Sequence, residues 1–284
     1  MFKLFSFLLL WGYSSYSLAA PALWSATKGE QQLWLFGSIH LADARLGTLP
    51  EPLLQRLAQS EQLYLEVDPD TISPAMLAPY LALPANETWQ DRLGEPLASQ
   101  LELHLDGLGL TRLKRFPPWF AVMQLSQVKA QRLGFSSSQG VDMQLLHLAK
   151  QQAVPVLGLE PPTLVFELMA SLPRRQLEQD FVRHTLAELD DLPRHLEQLF
   201  TTWQSGDEQA LLALLHDEQS PELHAFIEQE LLLARNQHWL HRLEQQAPQQ
   251  ALLVVGALHL YGEYGLLQLL QQAGYQLEQV KSEE

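Results

Sequence analysis

The chain has 284 residues, no cysteine, and 33 acidic against 18 basic side chains, for a formal net charge of −15. These figures exclude disulfides, thiolate catalysis and Cys-held zinc or iron–sulfur centres. They also leave no basic stripe of the kind nucleic-acid phosphates require, so no nucleic-acid partner is expected and the acidity reads as a solvated surface.

Residues 1–19 read as a secretory signal: Lys3 precedes the apolar run Leu4 to Trp11, and small residues close the segment at Ser17-Leu18-Ala19. The expected location is periplasmic or secreted, with the mature chain starting at Ala20. An uncleaved anchor is the competing reading, but the run is shorter than the roughly 20 residues a spanning helix needs. No later stretch is long enough, so no stable membrane span is expected after cleavage.

Ala22 to Lys28 and Gln31 to Phe36 form a hairpin pattern about Gly29, and the second run leads into Gly37-Ser38-Ile39-His40. Pro50 to Gln59 has the spacing of a short amphipathic helix and Gln62 to Val67 that of a strand, which together make a parallel crossover. A long helical tract follows, with apolar spacings of three and four. It is broken once by a strand pattern, Ala153 to Leu159, after a helix over Asp142 to Gln151 and before Glu160-Pro161-Pro162. Pro173 and Pro193 mark helix starts or breaks. Ala251 to Val255 reads as a buried strand, followed by Gly256-Ala257-Leu258-His259, a helix over Tyr264 to Ala273 and a strand over Tyr275 to Val280. The expected fold is α/β: a mixed, mainly parallel sheet of about five or six strands with an N-terminal hairpin. Residues 20–284 are expected to form a single domain, with helical insertions at about 74–150 and 161–246.

The two ends of the chain repeat one plan. GSIHL at 37–41 and GALHL at 256–260 each lie between a strand and a helix. In open α/β sheets the binding crevice lies outside the carboxyl ends of the strands, where His40, Glu66 with Asp68, Glu160 and His259 all fall. Two neutral imidazoles and one or two carboxylates suit a divalent transition metal such as Mn, Co or Zn, with a position left for water. Each residue also has a structural reading: loop-anchored histidines, a capping or Arg-paired Glu66, a turn-fixing Glu160. For Asp68, in Asp-Pro-Asp, the turn role is favoured. Asp142, after Gly140-Val141, is a natural first-turn helix residue, a role at least as good as a functional one. Arg235-Asn236 can neutralise a carboxylate, bind an oxyanion or form a surface pair. His104, His147, His184, His195, His216, His224, His238 and His241 read as ordinary helix residues. GxSxG, HExxH, Walker A and GxGxxG patterns are absent.

Taken together, LWLFGSIHLAD, LPEPLLQRLAQSEQLYLEVD, FPPWF, GVDMQLLHLAKQQAVPVLGLE, ARNQHWL and LLVVGALHLYGEYGLLQLLQQAGYQLEQV resemble the TraB/GumN family in order and spacing. That family groups with the Tiki metalloproteases and more distantly with EreA/ChaN-like proteins. The resemblance implies that His40 and His259 are the active-site GxxH histidines, that Glu66 and Glu160 hold the acidic positions, and that Arg235 with Asn236 is the late pair. It also implies metal-assisted hydrolysis as a reaction class, on a peptide or small-molecule amide or ester. His40, His259 and Glu66 are then the expected metal ligands, with ligand and general-base roles interchangeable between Glu66 and Glu160, and Arg235 steadying an oxyanion or substrate carboxylate. The rival expectation is a non-catalytic protein holding haem, a metal or a small ligand in the same crevice. Leu258 stands where the family often has a small residue and is expected to narrow the pocket or to pack elsewhere.

Overall fold

The computed structural model describes residues 21, 23–214 and 220–280; residues 1–19, read above as a secretory signal, with Ala22 and His216, lie outside the described residues. Six strands form one sheet: β1 (Leu23–Lys28), β2 (Gln31–Ser38), β3 (Gln62–Leu65), β4 (Val156–Gly158), β5 (Gln250–Gly256) and β6 (Gln276–Val280), in the order β4-β3-β5-β2-β1-β6. β1 is antiparallel to both β2 and β6, while β2, β5, β3 and β4 run parallel. The mixed, mainly parallel sheet with an N-terminal hairpin is therefore as expected. Gly29 supplies the left-handed residue of the hairpin turn, at φ +62°.

Covered strands explain the continuous apolar run in β5, where Ala251 to Val255 are all buried between flanking helices. Helix Glu51–Gln59 starts on Pro50, carries Pro52 in its first turn and buries Leu53 and Leu57, one turn apart, against the sheet. Trp239, Leu243, Leu145, Ala149, Leu266 and Leu270 complete that core. β4 is shorter than its apolar pattern. Ala153, at φ +55°, turns the chain out of the preceding helix, and Pro155 has no N–H for a ladder, so pairing starts only at Val156.

The helices between β3 and β4, and between β4 and β5, carry two smaller cores. One is built around Trp89, Leu101 and Val122 and the other around Trp119, Met169 and Phe226. They are joined by buried Glu178, which accepts from Arg92 at 2.7 and 2.8 Å and from the Trp119 backbone N–H at 3.2 Å. Pro193 sits in the first turn of helix Leu192–Ser205. One element has no counterpart in the apolar spacing: Ile227–Leu233 is π-helical and runs straight into helix Ala234–Gln246. No helix among the described residues is long and apolar enough to cross a membrane.

Candidate active site at the carboxyl ends of the parallel strands

Because the four parallel strands point the same way, the residues just beyond them gather at one sheet edge. In spatial order these are Glu160 after β4, Glu66 after β3, His259 after β5 and His40 after β2. Register brings the two GxxH segments level, with Gly37 opposite Val255 and Ser38 opposite Gly256. The glycines are there for contact. A Cβ on Gly37 would lie 3.0 Å from the Ala257 Cα, and one on Gly256 would lie 3.2 Å from Glu66 Oε1 and 3.3 Å from His40 Nε2. Each motif thus needs a small residue where the other motif, or the polar cluster, presses against it.

His40 is held from the side. Its Nδ1 lies 2.9 Å from Asp142 Oδ2, while Ser38 donates to Asp142 Oδ1 at 2.7 Å. Asp142 reaches this place because Gly140 lies against the His40 carbonyl, where a Cβ would come within 2.4 Å of the oxygen, and because Val141 N–H donates to Ile39 O at 3.1 Å. The His40 Nε2 faces Glu66 Oε1 at 3.6 Å, and 59% of the side chain is exposed to the cleft.

His259 is buried. Asn236 donates through Nδ2 to the carbonyls of His259 (3.1 Å) and Tyr264 (2.7 Å), which fixes the amide so that its Oδ1 accepts from His259 Nδ1–H at 2.8 Å. The Nε2 of His259 therefore carries the lone pair. It accepts from Arg235 Nη1 at 3.0 Å and lies 4.0 Å from Glu66 Oε1. The Trp239 ring packs on the imidazole, with ring centroids 4.4 Å apart.

Arg235 ties the cluster together. Its Nε donates to Glu160 (2.9 Å), Nη2 to Glu160 (2.8 Å) and Glu66 (2.6 Å), and Nη1 to His259 and to Leu231 O (3.1 Å). All five N–H groups of the guanidinium are spent on protein acceptors, so in this arrangement none is left for a substrate oxyanion or carboxylate. Glu160 is buried and engaged too: it accepts twice from Arg235 and once from Trp239 Nε1 at 2.8 Å, and it is 4% exposed. The interchange between the glutamates left open by the sequence is thereby narrowed. Glu66 faces both histidines and accepts from Gly256 N–H at 2.7 Å, whereas Glu160 positions Arg235.

The electrostatics divide the two histidines. Burial holds His259 neutral, and with the Arg235 charge beside it its pKa is pushed down to about 3 against the pull of Glu66. His40, open to the cleft, is only partly desolvated, and the hydrogen bonds and fields of Asp142 and Glu66 prevail and raise it well above the ordinary value. Burial would raise Glu66, yet His40 and Arg235 hold it well below the usual carboxylate range. Burial raises Glu160 despite its bonds to Arg235 and Trp239.

Whether these residues suit a divalent metal is decided by donor type, direction and charge. Both imidazoles have Nδ1 tied and Nε2 turned toward Glu66 Oε1, the pattern by which outer partners orient metal-binding histidines. Three carboxylates face one arginine, so a divalent cation would balance the cluster with both imidazoles neutral. The donor set fits. As arranged, however, no group of three or more His, Asp or Glu among the described residues is drawn close enough to hold an ion, and Arg235 occupies the His259 lone pair. Asp68 caps its own turn through Asp70 N–H, its favoured role. Leu258 lines a different cleft, with Leu212, Leu232 and Tyr264, and does not narrow this one. Asp142 joins the cluster through His40, and Ser38 and Trp239 were missed as partners. The signals were the GVDM segment and the i, i+4 spacing of Arg235 and Trp239.

The cleft beside His40, Glu66 and Asp142 measures about 270 Å³ and is also lined by Leu65, Val67, Pro69, Ser137, Met143 and Val165. An α/β sheet with paired histidines and carboxylates at its parallel strand ends is the class of protein this geometry defines. The chain belongs to the TraB/PrgY/gumN family, whose family model matches residues 22–279. It is 30% identical over 266 residues to the uncharacterized protein YbaP of Escherichia coli (strain K12), covering 88% of this chain and 97% of that protein. It is 24% identical over 323 residues to the metalloprotease TIKI1 of Danio rerio, covering 90% of this chain but 62% of that protein. No solved structure matches the chain.

Proposed function

We propose that the protein is an exported hydrolase of amide or ester bonds that works with a divalent transition metal at the His40–Glu66–His259 cluster. The observation that carries this reading is the convergence of two Nδ1-tied imidazoles on one ionised carboxylate lining the cleft. The similarity to a metalloprotease supports the reaction class. His40 Nε2, His259 Nε2 and Glu66 would hold the ion, which when bound supplies Lewis-acid polarisation of a carbonyl and an acidified water.

The protein's own part is positioning. Asp142 and Asn236 fix the two rings, and Arg235 anchors Glu66 at Oε2 while leaving Oε1 toward the histidines. Glu66, ionised and turned to both histidines, is the glutamate suited to the ion. Glu160 acts through Arg235. A binding protein without turnover is the second reading. A haem-sized ligand suits it poorly, because the cleft of about 270 Å³ falls below the roughly 300–1,000 Å³ of pockets that enclose even drug-sized molecules.

The test is metal content and hydrolysis by the purified mature protein beside the His40→Ala, His259→Ala double variant. The expected result is near-stoichiometric Mn, Co or Zn in the wild type, lost in the variant, with amide or ester cleavage following the metal. If neither protein takes up metal after supplementation with all three ions, the metallohydrolase reading is overturned.

A further inference from the structure

The cleft is lined by two kinds of side chain. His40, Glu66, Ser137, Asp142, Glu160 and Arg235 are polar, whereas Leu65, Val67, Pro69, Met143 and Val165 are apolar. Met143 is 38% exposed in the first turn of helix Val141–Gln151, next to Asp142, which holds His40. An adaptable thioether left in solvent beside a reactive cluster is a surface suited to apolar side chains. The apolar character continues outward. Pro69 leads through Ile72, 40% exposed, into helix Pro74–Leu81, which has no buried residue and includes Met76, also 40% exposed. Val165 lies in helix Leu164–Ala170, which packs on that helix.

Charge sets the second limit on the occupant. Arg235 is the only Lys or Arg among the described residues lining the cleft, and its N–H groups are all engaged. The cleft carboxylates Glu66, Asp142 and Glu160 repel another carboxylate. A C-terminal carboxylate or an acidic side chain thus meets three carboxylates set against the engaged Arg235 and a single imidazole, His40, a net unfavourable field. An anionic membrane surface is likewise repelled by a chain of net charge −15.

We infer that this cleft binds an internal stretch of an extended peptide by an aliphatic or aromatic side chain seated between Met143 and Val165, and that it rejects acidic residues and free C-termini. The inference names the substrate class for the hydrolase reading and in that sense rests on it, but it is tested by binding. The experiment measures fluorescence anisotropy of labelled, acetyl- and amide-capped octapeptides with central Leu, Phe or Asp, and of the Leu peptide truncated to a free carboxylate after Leu. The Met143 methyl signal, assigned with Met143→Leu, locates the site.

Leu and Phe peptides are expected to bind at least about tenfold more tightly than the Asp and free-carboxylate peptides, the scale on which apolar pockets discriminate. They should shift the Met143 methyl. Met143→Asp, at an exposed position, should remove the preference and Met143→Leu should keep it. Equal affinity for Leu and Asp peptides, or an unaffected preference in Met143→Asp, overturns the inference, as does binding to phosphatidylcholine vesicles in place of peptides. Apolar peptides that bind as expected but stay intact with Mn, Co and Zn would sink the hydrolase reading alone. Cleavage without side-chain preference would sink the subsite alone.

Discussion

The two GxxH units are alike in sequence and unlike in setting. His40 stands at the cleft surface, 59% exposed, with its ring held by carboxylates on two sides. His259 is 6% exposed, held by a neutral amide, stacked on Trp239 and bonded to a guanidinium. The repeated strand–GxxH pattern fixes where each imidazole emerges. What differs is supplied from outside the repeat: helix Val141–Gln151 brings Asp142 to the first, and helix Ala234–Gln246 brings Arg235 and Asn236 to the second. A duplicated motif has been given one charge-accepting and one charge-refusing histidine by its two insertions.

The largest expected effect comes from removing the cation that separates the two settings. Arg235→Ala leaves Glu160 buried and Glu66 largely buried without their partner, and loss of one member of a buried pair costs about 3–5 kcal/mol. Chemical denaturation should show a loss of unfolding free energy of that size. A loss below about 1 kcal/mol would mean that Arg235 does not anchor the cluster.

Smaller, and more pointed for the comparison, is the pair of single histidine variants. His259→Ala removes a buried ring and leaves Asn236 Oδ1 and one of the two Arg235 Nη1 hydrogens without a partner, for a loss of about 2–4 kcal/mol. His40→Ala, at a largely exposed position, should lose less than about 1 kcal/mol. Both should lose metal uptake. Equal losses of stability would erase the distinction between a buried, structural histidine and an open one, and urea titration of the two variants side by side decides it.

How much of this was legible follows from how far each contact reaches along the chain. The strand ends carrying His40, Glu66, Glu160 and His259 were readable because each polar residue immediately follows a short apolar run, and because parallel strands put such residues on one edge. Asp142 was underweighted because its partners Ser38 and His40 lie more than a hundred positions away. Within its own helix it looks like an ordinary first-turn acid. The saturation of Arg235 was hidden for another reason. The guanidinium spends one N–H on Leu231 O, inside the π-helical turn that precedes it, and no apolar spacing announces a π-helix. A role as oxyanion donor was therefore natural from composition, and the hydrogen-bond geometry turns it into a positioning role. The short β4 had the same kind of cause, a local backbone reversal at Ala153 within an apolar run.

The smallest effect is the one that reads the comparison most directly, the titration of the two rings by NMR. His40, raised by Asp142 and Glu66, should stay protonated above the ordinary histidine value of about 6.5, whereas His259 should remain the neutral Nδ1–H form down to about pH 3. Linkage gives the two opposite consequences. His40 binds its proton more tightly folded than unfolded, so its contribution is fully present below about pH 6.5 and is lost as pH rises through its raised folded value. His259 binds its proton less tightly folded, so stability falls as pH drops from about 6.5 toward 3, where the unfolded chain takes up a proton that the folded one refuses. Asp142→Asn should bring the His40 midpoint down toward the ordinary value and leave His259 where it is. If both rings instead titrate together near 6.5 in the metal-free protein, the two insertions do not set the two charges, and the asymmetry at the centre of the site is not electrostatic.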